Sequence, residues 1–142
     1  MTSRLLLSVV ILLFAMAGEA FSEPKRVLIL HPFGRDFVPW SQYGKTFREE
    51  LLRQSPEGID LYETSLVSAR SGDIEEGPFA EYLRALFVKR QPDLVVAISS
   101  PAIGFIQKHR EQLFPTVPAV FLGVDQRRIS RIALTGRDAR WS

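Results

Sequence analysis

The chain has 142 residues, no cysteine, and 18 lysine and arginine residues against 16 aspartate and glutamate residues. The absence of cysteine excludes disulfides, thiolate chemistry, cysteine-ligated zinc, iron–sulfur clusters and a lipoprotein anchor. A net charge of +2 does not indicate a nucleic-acid partner or an anionic membrane surface. The length predicts one domain, and the content of 46% hydrophobic and 24% charged residues is typical of a globular protein.

The N-terminal segment has the pattern of a secretory signal. Arg4 precedes the apolar run Leu5–Ala17, whose 13 residues are fewer than the ~20 that span a bilayer. Small residues at Ala20 and Ser22 favour cleavage after Ser22, so residues 1–22 are predicted to be a signal peptide. This prediction places the mature chain in the periplasm. An uncleaved membrane anchor and a buried apolar helix are the alternatives.

Apolar runs bounded by turn residues predict the first elements of the mature chain. Val27–Leu30 is an unbroken apolar run, which is typical of a strand buried on both faces. Pro32–Trp40 contains two prolines and a glycine and is therefore predicted to be a loop. Ser41 is the predicted N-cap of a helix. The inward face of that helix is predicted to carry Tyr43, Phe47, Leu51 and Leu52.

The remaining elements repeat the alternation of strand and helix. Ile59–Leu66 alternates apolar and polar residues, as an edge or half-exposed strand does. Pro78 suits the first turn of a second helix, whose predicted stripe is Phe79, Tyr82, Leu83, Leu86 and Phe87. Leu94–Ile98 is the clearest buried strand, and Ser99–Pro101 leads from it into a third helix. The inward residues of that helix are predicted to be Ile103, Ile106 and Leu113. Ala119–Leu122 is the fourth strand.

This order predicts an α/β fold with a three-layer parallel sheet, right-handed crossovers and flavodoxin-like architecture. Residues 23–125 are assigned to this ligand-binding lobe. Residues 126–142 are rich in arginine; Ile129, Ile132 and Leu134 could form one short helical turn, and nothing after Leu134 has a periodic pattern. This segment is therefore expected to form a basic, poorly ordered tail. A doubly wound sheet normally continues with further strands. The chain is therefore expected to be a truncated part of a larger architecture.

A ligand site is predicted where the strands end. Ligands of open α/β sheets bind outside the carboxyl ends of the strands, where three predicted loops meet. Hydroxyls and backbone N–H groups at Ser99 and Ser100 suit a carboxylate or another polar ligand group. The alternative is that Ser100 merely caps the helix, although a cap can do both. The predicted ligand-binding residues are His31, Gly34, Trp40, Ser99, Ser100 and Asp125.

Other residues near this edge leave several interpretations open. Phe33, Phe37 and Trp40 either stack on a ligand, cover the core or contact another lobe. Arg35-Asp36 is a candidate for a local ion pair. His109 is expected at the surface, and two histidines placed like His31 and His109 predict no metal site.

The sequence lacks the motifs of several enzyme classes. It contains no G-x-G-x-x-G after the first strand, no G-x-x-x-x-G-K-[ST] and no G-x-S-x-G. The acidic residues of a phospho-acceptor receiver domain are also missing, because His31-Pro32 and Ser99-Ser100 stand at those positions. We therefore predict no catalytic residues and no cofactor.

Several segments in order resemble one protein family. They are Lys25–Trp40, Leu61–Arg70, Tyr82–Arg90, Pro92–Ser99 and Phe121–Arg128. Together they are similar to extracytoplasmic ABC-transporter substrate-binding-protein-like domains, in particular those at the N-terminus of proteobacterial membrane sensor histidine kinases. The resemblance implies one lobe of a periplasmic-binding-protein fold, with a small-molecule ligand held between two lobes. It also implies an ABC permease or a kinase transmembrane module as partner.

Three functional hypotheses follow from the residues and the resemblance. The first is an extracytoplasmic solute-binding or sensory input domain, as a fragment of a sensor histidine kinase. The second is a free substrate-binding protein of an ABC transporter, and the third is a small periplasmic α/β enzyme. A single lobe is expected to bind ligand weakly and to self-associate through its exposed aromatic residues.

Overall fold

A computed structural model describes residues 23–55, 57–66, 76–124, 127, 136 and 138–141 of the chain. The predicted signal peptide, residues 1–22, lies outside the described residues. Among the described helices, none has both the length and the apolar character needed to cross a bilayer. The described elements are, in chain order, β1 (Lys25–His31), α1 (Trp40–Gln54), β2 (Ile59–Ser65), α2 (Glu76–Leu86), β3 (Leu94–Ile98), α3 (Ser99–Leu113), β4 (Ala119–Leu122) and β5 (Ala139–Trp141).

The strands form one parallel sheet in the order β2-β1-β3-β4-β5. This confirms the predicted α/β fold with a parallel sheet, and the strand order is that of flavodoxin-like sheets. The predicted central strand, β3, pairs with β1 on one side and with β4 on the other. The strand predicted to be half-exposed, β2, lies at the edge of the sheet, and its residues are all partly buried.

Alternation along the strands divides the core into two layers. Leu28 and Leu30 of β1 point to one face, where they pack in a cluster with Leu83 of α2 and Ile106 of α3. Val27 and Ile29 of β1 point to the other face, where they pack with Phe47 and Leu51 of α1. Helices therefore cover both faces, which gives the predicted three layers.

The helices differ from the prediction in the start of α1 and in the residues that they expose to solvent. Helix α1 begins at Trp40 rather than after Ser41, and no side chain caps it at the preceding position. Four residues assigned to the inward stripes are exposed: Tyr43 and Leu52 on α1, Tyr82 and Leu86 on α2. Each lies at the margin of its stripe, because a single sheet face contacts only a narrow sector of a covering helix.

The C-terminal segment contributes a strand that the sequence analysis did not predict. Residues of β5 pair in parallel with β4, so the domain extends past residue 125. Asp138, whose side chain is 0% exposed, accepts hydrogen bonds from Arg110 at 2.8 and 2.9 Å. Asp138 also accepts a hydrogen bond from the backbone N–H of Ala119 at 3.1 Å. A strand of three residues is too short to show a periodic pattern in the sequence. The contacts of Asp138, which directly precedes β5, hold this short strand against α3 and β4.

Val95→Asp is expected to unfold the domain. Val95 lies in the central strand β3 with 1% of its surface exposed, and an unpaired buried charge costs several kcal/mol against a total stability of about 5–15 kcal/mol. Val88→Asp is the matched control, because Val88 is exposed and surface changes fall within about 0.5 kcal/mol. Thermal melts followed by circular dichroism would compare the two variants. A parent-like melt of the Val95 variant would contradict the central position of β3.

Candidate functional site

The carboxyl ends of the strands meet at one edge of the sheet, where the ligand site is predicted. Strand β1 ends there at His31, β3 is followed directly by Ser99, and β4 is followed by Gly123. In this strand order β2 lies on one side of β1, whereas β3, β4 and β5 follow on its other side. The gap between β1 and β3 is therefore the switch point at which open α/β sheets bind ligands. His31 and Ser99 therefore flank the switch point.

Ser99 has an unusual backbone conformation. Its φ is +68°, in the left-handed region that residues with a β-carbon seldom adopt, at a cost of about 1–3 kcal/mol. Only 6% of its surface is exposed. Helix α3 begins at Ser99 itself, with Ile98 at the N-cap position and no side-chain cap bond there. The predicted capping position of Ser100 is wrong, because Ser100 lies inside the first turn.

Trp40 covers the core at the same edge. Its ring packs against the cluster between the sheet and α1, and it also lies against the turn after β4. A β-carbon on Gly123 would stand 2.7 Å from Cζ3 of Trp40, and the φ of Gly123 is +65°. Of the three interpretations of Trp40, the structure shows the one in which it covers the core. Glycine is needed at position 123 for both the contact and the conformation.

The other residues of the β1–α1 loop lie farther out. Gly34 is exposed, and its carbonyl accepts a hydrogen bond from the N–H of Phe37 at 2.9 Å. The rings of Phe33 and Phe37 are in contact, with centroids 4.8 Å apart. Asp125, the last predicted ligand-binding residue, lies outside the described residues, as does the loop after β2 near Ser68.

The carboxylate of Glu63 in β2 contacts three side chains that the sequence analysis did not place together. His31 Nε2 lies 3.3 Å from its Oε2, Arg48 of α1 donates to its Oε1 at 2.6 Å, and Arg35 Nε lies 3.2 Å from its Oε2. The side chain of Glu63 is 11% exposed. Arg35 therefore pairs with Glu63, and the expected local ion pair with Asp36 is not the arrangement found.

The pKa values of His31 and Glu63 are both lower than the usual values of these side chains. Burial lowers the pKa of His31 and outweighs the opposing hydrogen bond and charge of Glu63. For Glu63, burial alone would raise the pKa, but the hydrogen bond and charge of Arg48, together with Arg35 and His31, lower it below its usual range. A neutral His31 therefore donates its Nε2–H to an ionised Glu63. The Nδ1 atom then carries the lone pair, and it has no hydrogen-bond partner among the described residues.

A cleft of about 340 Å³ opens beside this group, between the β1–α1 loop and α1. The loop contributes Arg35 and Asp36, the helix contributes Lys45 and Arg48, and the side chains of Ser41 and Gln42 complete the wall. Among the predicted ligand-binding residues that the structure describes, His31 alone lines it. Ser99, Ser100, Trp40 and Gly34 lie outside its wall. The described chain thus has two polar surfaces at this edge, one at the switch point and one beside α1.

Sequence reasoning missed Glu63, Arg48 and Lys45, although the sequence contains a signal for the first of them. Ile59, Leu61 and Glu63 alternate along β2 and share the face covered by α1. A carboxylate on the inward face of a strand must have partners. Which partners it has depends on the packing of α1 and the β1–α1 loop, and no spacing in the sequence encodes this.

His109, which the sequence predicts to lie at the surface, is partly buried, with 13% of its side chain exposed. Its Nε2 lies 3.1 Å from Glu76 Oε2, and its ring lies tilted against that of Phe105 with centroids 4.7 Å apart. Lys108 binds the same Glu76 oxygen at 2.7 Å, and its hydrogen bond is the main reason that the pKa of Glu76 is lowered. These contacts fasten α3 to the start of α2.

Comparison with known proteins adds no family assignment: no protein-family model matches the chain, and no curated protein or solved structure matches it significantly. Within the described residues, no group of three histidine, aspartate or glutamate side chains has the arrangement of a metal site.

Gly44→Ala is expected to destabilise the protein by about 1–3 kcal/mol, because a β-carbon there would stand 2.7 Å from Cε1 of the buried His31. The matched control is Gly104→Ala in α3, where a β-carbon meets nothing within 4 Å. Replacing that exposed helical glycine is expected to raise the free energy of unfolding by about 0.5–1 kcal/mol. Urea titrations would measure both variants. Equal stabilisation by the two alanines would contradict the tight contact between His31 and α1.

The stability of the protein is expected to fall as the pH decreases from about 7 to 5. The pKa of His31 is lower in the folded chain than in the unfolded chain, so the unfolded chain binds more protons in this range. The contribution of His31 is complete above the ordinary histidine pKa of about 6.5 and is lost below it. Glu63, whose pKa is also lowered, acts at more acidic pH.

Urea titrations of the parent and of His31→Gln between pH 7 and 5 would test this dependence. The variant is expected to lose the part of the pH slope that one histidine supplies, at most about 1.4 kcal/mol per pH unit. His109→Gln retains His31 and is expected to keep that part. A parent-like slope in the His31 variant would show that this ring is not the group responsible.

Proposed function

We propose that the chain is an extracytoplasmic solute-binding or sensory input domain, and that the switch point between β1 and β3 contacts the ligand. Export follows from the predicted signal peptide, and the kind of domain follows from the family resemblance. The resemblance favours an origin as the sensor region of a membrane histidine kinase. It also includes free substrate-binding proteins of ABC transporters.

The conformation of Ser99 is the single observation on which this proposal depends most. A strained, buried serine stands directly after the central strand, at the position where flavodoxin-like sheets bind their ligands. Strain of this kind tends to persist at ligand-binding sites, where the surrounding structure holds the residue in place. Helix α3 begins at Ser99, and the backbone N–H groups of a first helical turn suit a polar ligand group.

The ligand is expected to be a small polar molecule bound weakly by this lobe. Small-molecule sites typically bury about 70–90% of the ligand surface, whereas one edge of a sheet covers about half of it. Losing half of the ~8 kcal/mol of a micromolar site leaves binding in the millimolar range. A ligand at ten times its Kd would still stabilise the protein by about 1.4 kcal/mol, which a thermal melt detects.

Thermal melts of the parent with amino acids, sugars and aromatic acids at tens of millimolar would identify a ligand. Ser99→Gly would then test the site, since glycine adopts the left-handed conformation without strain but supplies no hydroxyl. We expect this variant to unfold at the same or a higher temperature than the parent. We also expect it to lose most of the ligand-induced stabilisation.

Gly104→Ala is the matched control, because it lies on the same helix and raises stability without altering the edge of the sheet. It is expected to keep the ligand-induced shift. A ligand-induced shift of the melting temperature in Ser99→Gly as large as that of the parent would show that the Ser99 side chain does not contact the ligand. If no solute in the panel stabilised the parent, the proposed function itself would fail.

A further inference from the structure

The cleft beside α1 shares His31 with the surface at the switch point but has its other walls elsewhere. These walls come from the β1–α1 loop and from the first turns of α1, whereas Ser99 follows β3 and does not line the cleft. A volume of about 340 Å³ is at the small end of the range of ligand pockets. The cleft is thus large enough for a ligand of its own.

Positive charge dominates the lining of the cleft. Arg35, Lys45 and Arg48 line it, against Asp36 on the wall and Glu63 behind it. Glu49, which is outside the lining, pairs with Lys45 at 3.8 Å, so these three cations face three carboxylates in all. A ligand with one negative charge can engage the exposed cations, whereas a second charge would face Asp36, Glu49 and Glu63 without a further cation.

The three cations are not equally available to a ligand. Arg48 is largely buried and is held by Glu63 at 2.6 Å. Arg35 and Lys45 are 61% and 66% exposed, and their contacts with carboxylates are longer, at 3.2 Å to Glu63 and 3.8 Å to Glu49. The Lys45–Glu49 pair is exposed on both sides, and such pairs are weak and exchange easily, whereas in the other pair only Arg35 is exposed. Arg35 and Lys45 are therefore the two cations that a ligand can engage without disrupting the core.

The contacts of Glu63 indicate which chemical group the cations of the cleft bind. Its carboxylate accepts a hydrogen bond from Arg48, forms an ion pair with Arg35 and lies beside an imidazole, so the arginines around it are already arranged for a carboxylate. The remaining groups on the wall, the hydroxyl of Ser41 and the amide of Gln42, are neutral. They suit hydroxyl groups of a ligand, since each can both donate and accept.

We propose that this cleft is a second ligand site, which binds a small monocarboxylic acid carrying hydroxyl groups. Arg35 and Lys45 hold the carboxylate, and Ser41 and Gln42 hold the hydroxyl groups. Asp36 disfavours a second negative charge. The four residues that hold this ligand are all different from Ser99 and Ser100, so the site does not depend on the proposed function at the switch point, although His31 borders both surfaces.

Three probes of similar size and increasing charge would test the site: sorbitol, gluconate and glucarate. Titration of the full chain by calorimetry at low salt is expected to show saturable binding of gluconate, weaker binding of glucarate and none of sorbitol. Inorganic phosphate is the fourth probe, and it is expected to bind at least tenfold more weakly than gluconate. Equal binding of sorbitol, tighter binding of glucarate, or phosphate binding as strong as that of gluconate would overturn the proposal.

Substitutions of the lining residues would test whether gluconate binds in the cleft. Arg35→Gln and Lys45→Gln are each expected to weaken gluconate binding about five- to tenfold, because each removes one exposed charge-assisted contact. Arg84→Gln is the matched control, since Arg84 is a similarly exposed arginine that pairs with Glu81 on α2. Ser99→Gly is expected to leave gluconate binding unchanged. Parent-like affinity in both cleft variants, or its loss in Ser99→Gly, would refute a separate site in the cleft.

Discussion

The central strands are buried on both faces, and this burial dictates where polar residues can lie in the sheet. Strands β1 and β3 are covered by α1 on one side and by α2 and α3 on the other, so every residue in the middle of these strands is apolar. Polar chemistry is therefore confined to the strand ends and to the edge strand β2. The candidate site lies at the carboxyl edge for this reason, and the residues that form it are the first ones after each apolar run: His31 and Ser99.

Glu63 is the one acidic residue that the described α1 face of the sheet accommodates, and its partners organise the region around it. An ionised carboxylate that is 11% exposed requires compensation, which Arg48, Arg35 and His31 supply. These contacts connect β2 to α1, to the β1–α1 loop and to the end of β1. The same contacts hold Arg35 and Arg48 along the wall of the cleft, so one buried charge determines the shape and the electrostatics of that surface.

The two polar surfaces at the carboxyl edge differ in how they are held in place. At the switch point, Ser99 is buried and strained, and Gly123 keeps the neighbouring turn closely packed on Trp40. Beside α1, the outer cations are exposed and their ion pairs are long. The first surface is preorganised by backbone conformation, whereas the second is adaptable because its side chains are solvated. His31 belongs to both, since it ends β1 and also lines the cleft.

Apolar runs bounded by turn residues predicted the elements from β1 to β4 and the parallel pairing of their strands. An unbroken run such as Leu94–Ile98 predicts a buried parallel strand, because only residues covered on both faces lack polar alternation. Three other features follow from tertiary packing: the partners of Glu63, the strained conformation of Ser99 and the docking of β5 through Asp138. Each of them joins residues that are distant in the chain or sets one backbone angle, and local sequence patterns report only on burial and periodicity.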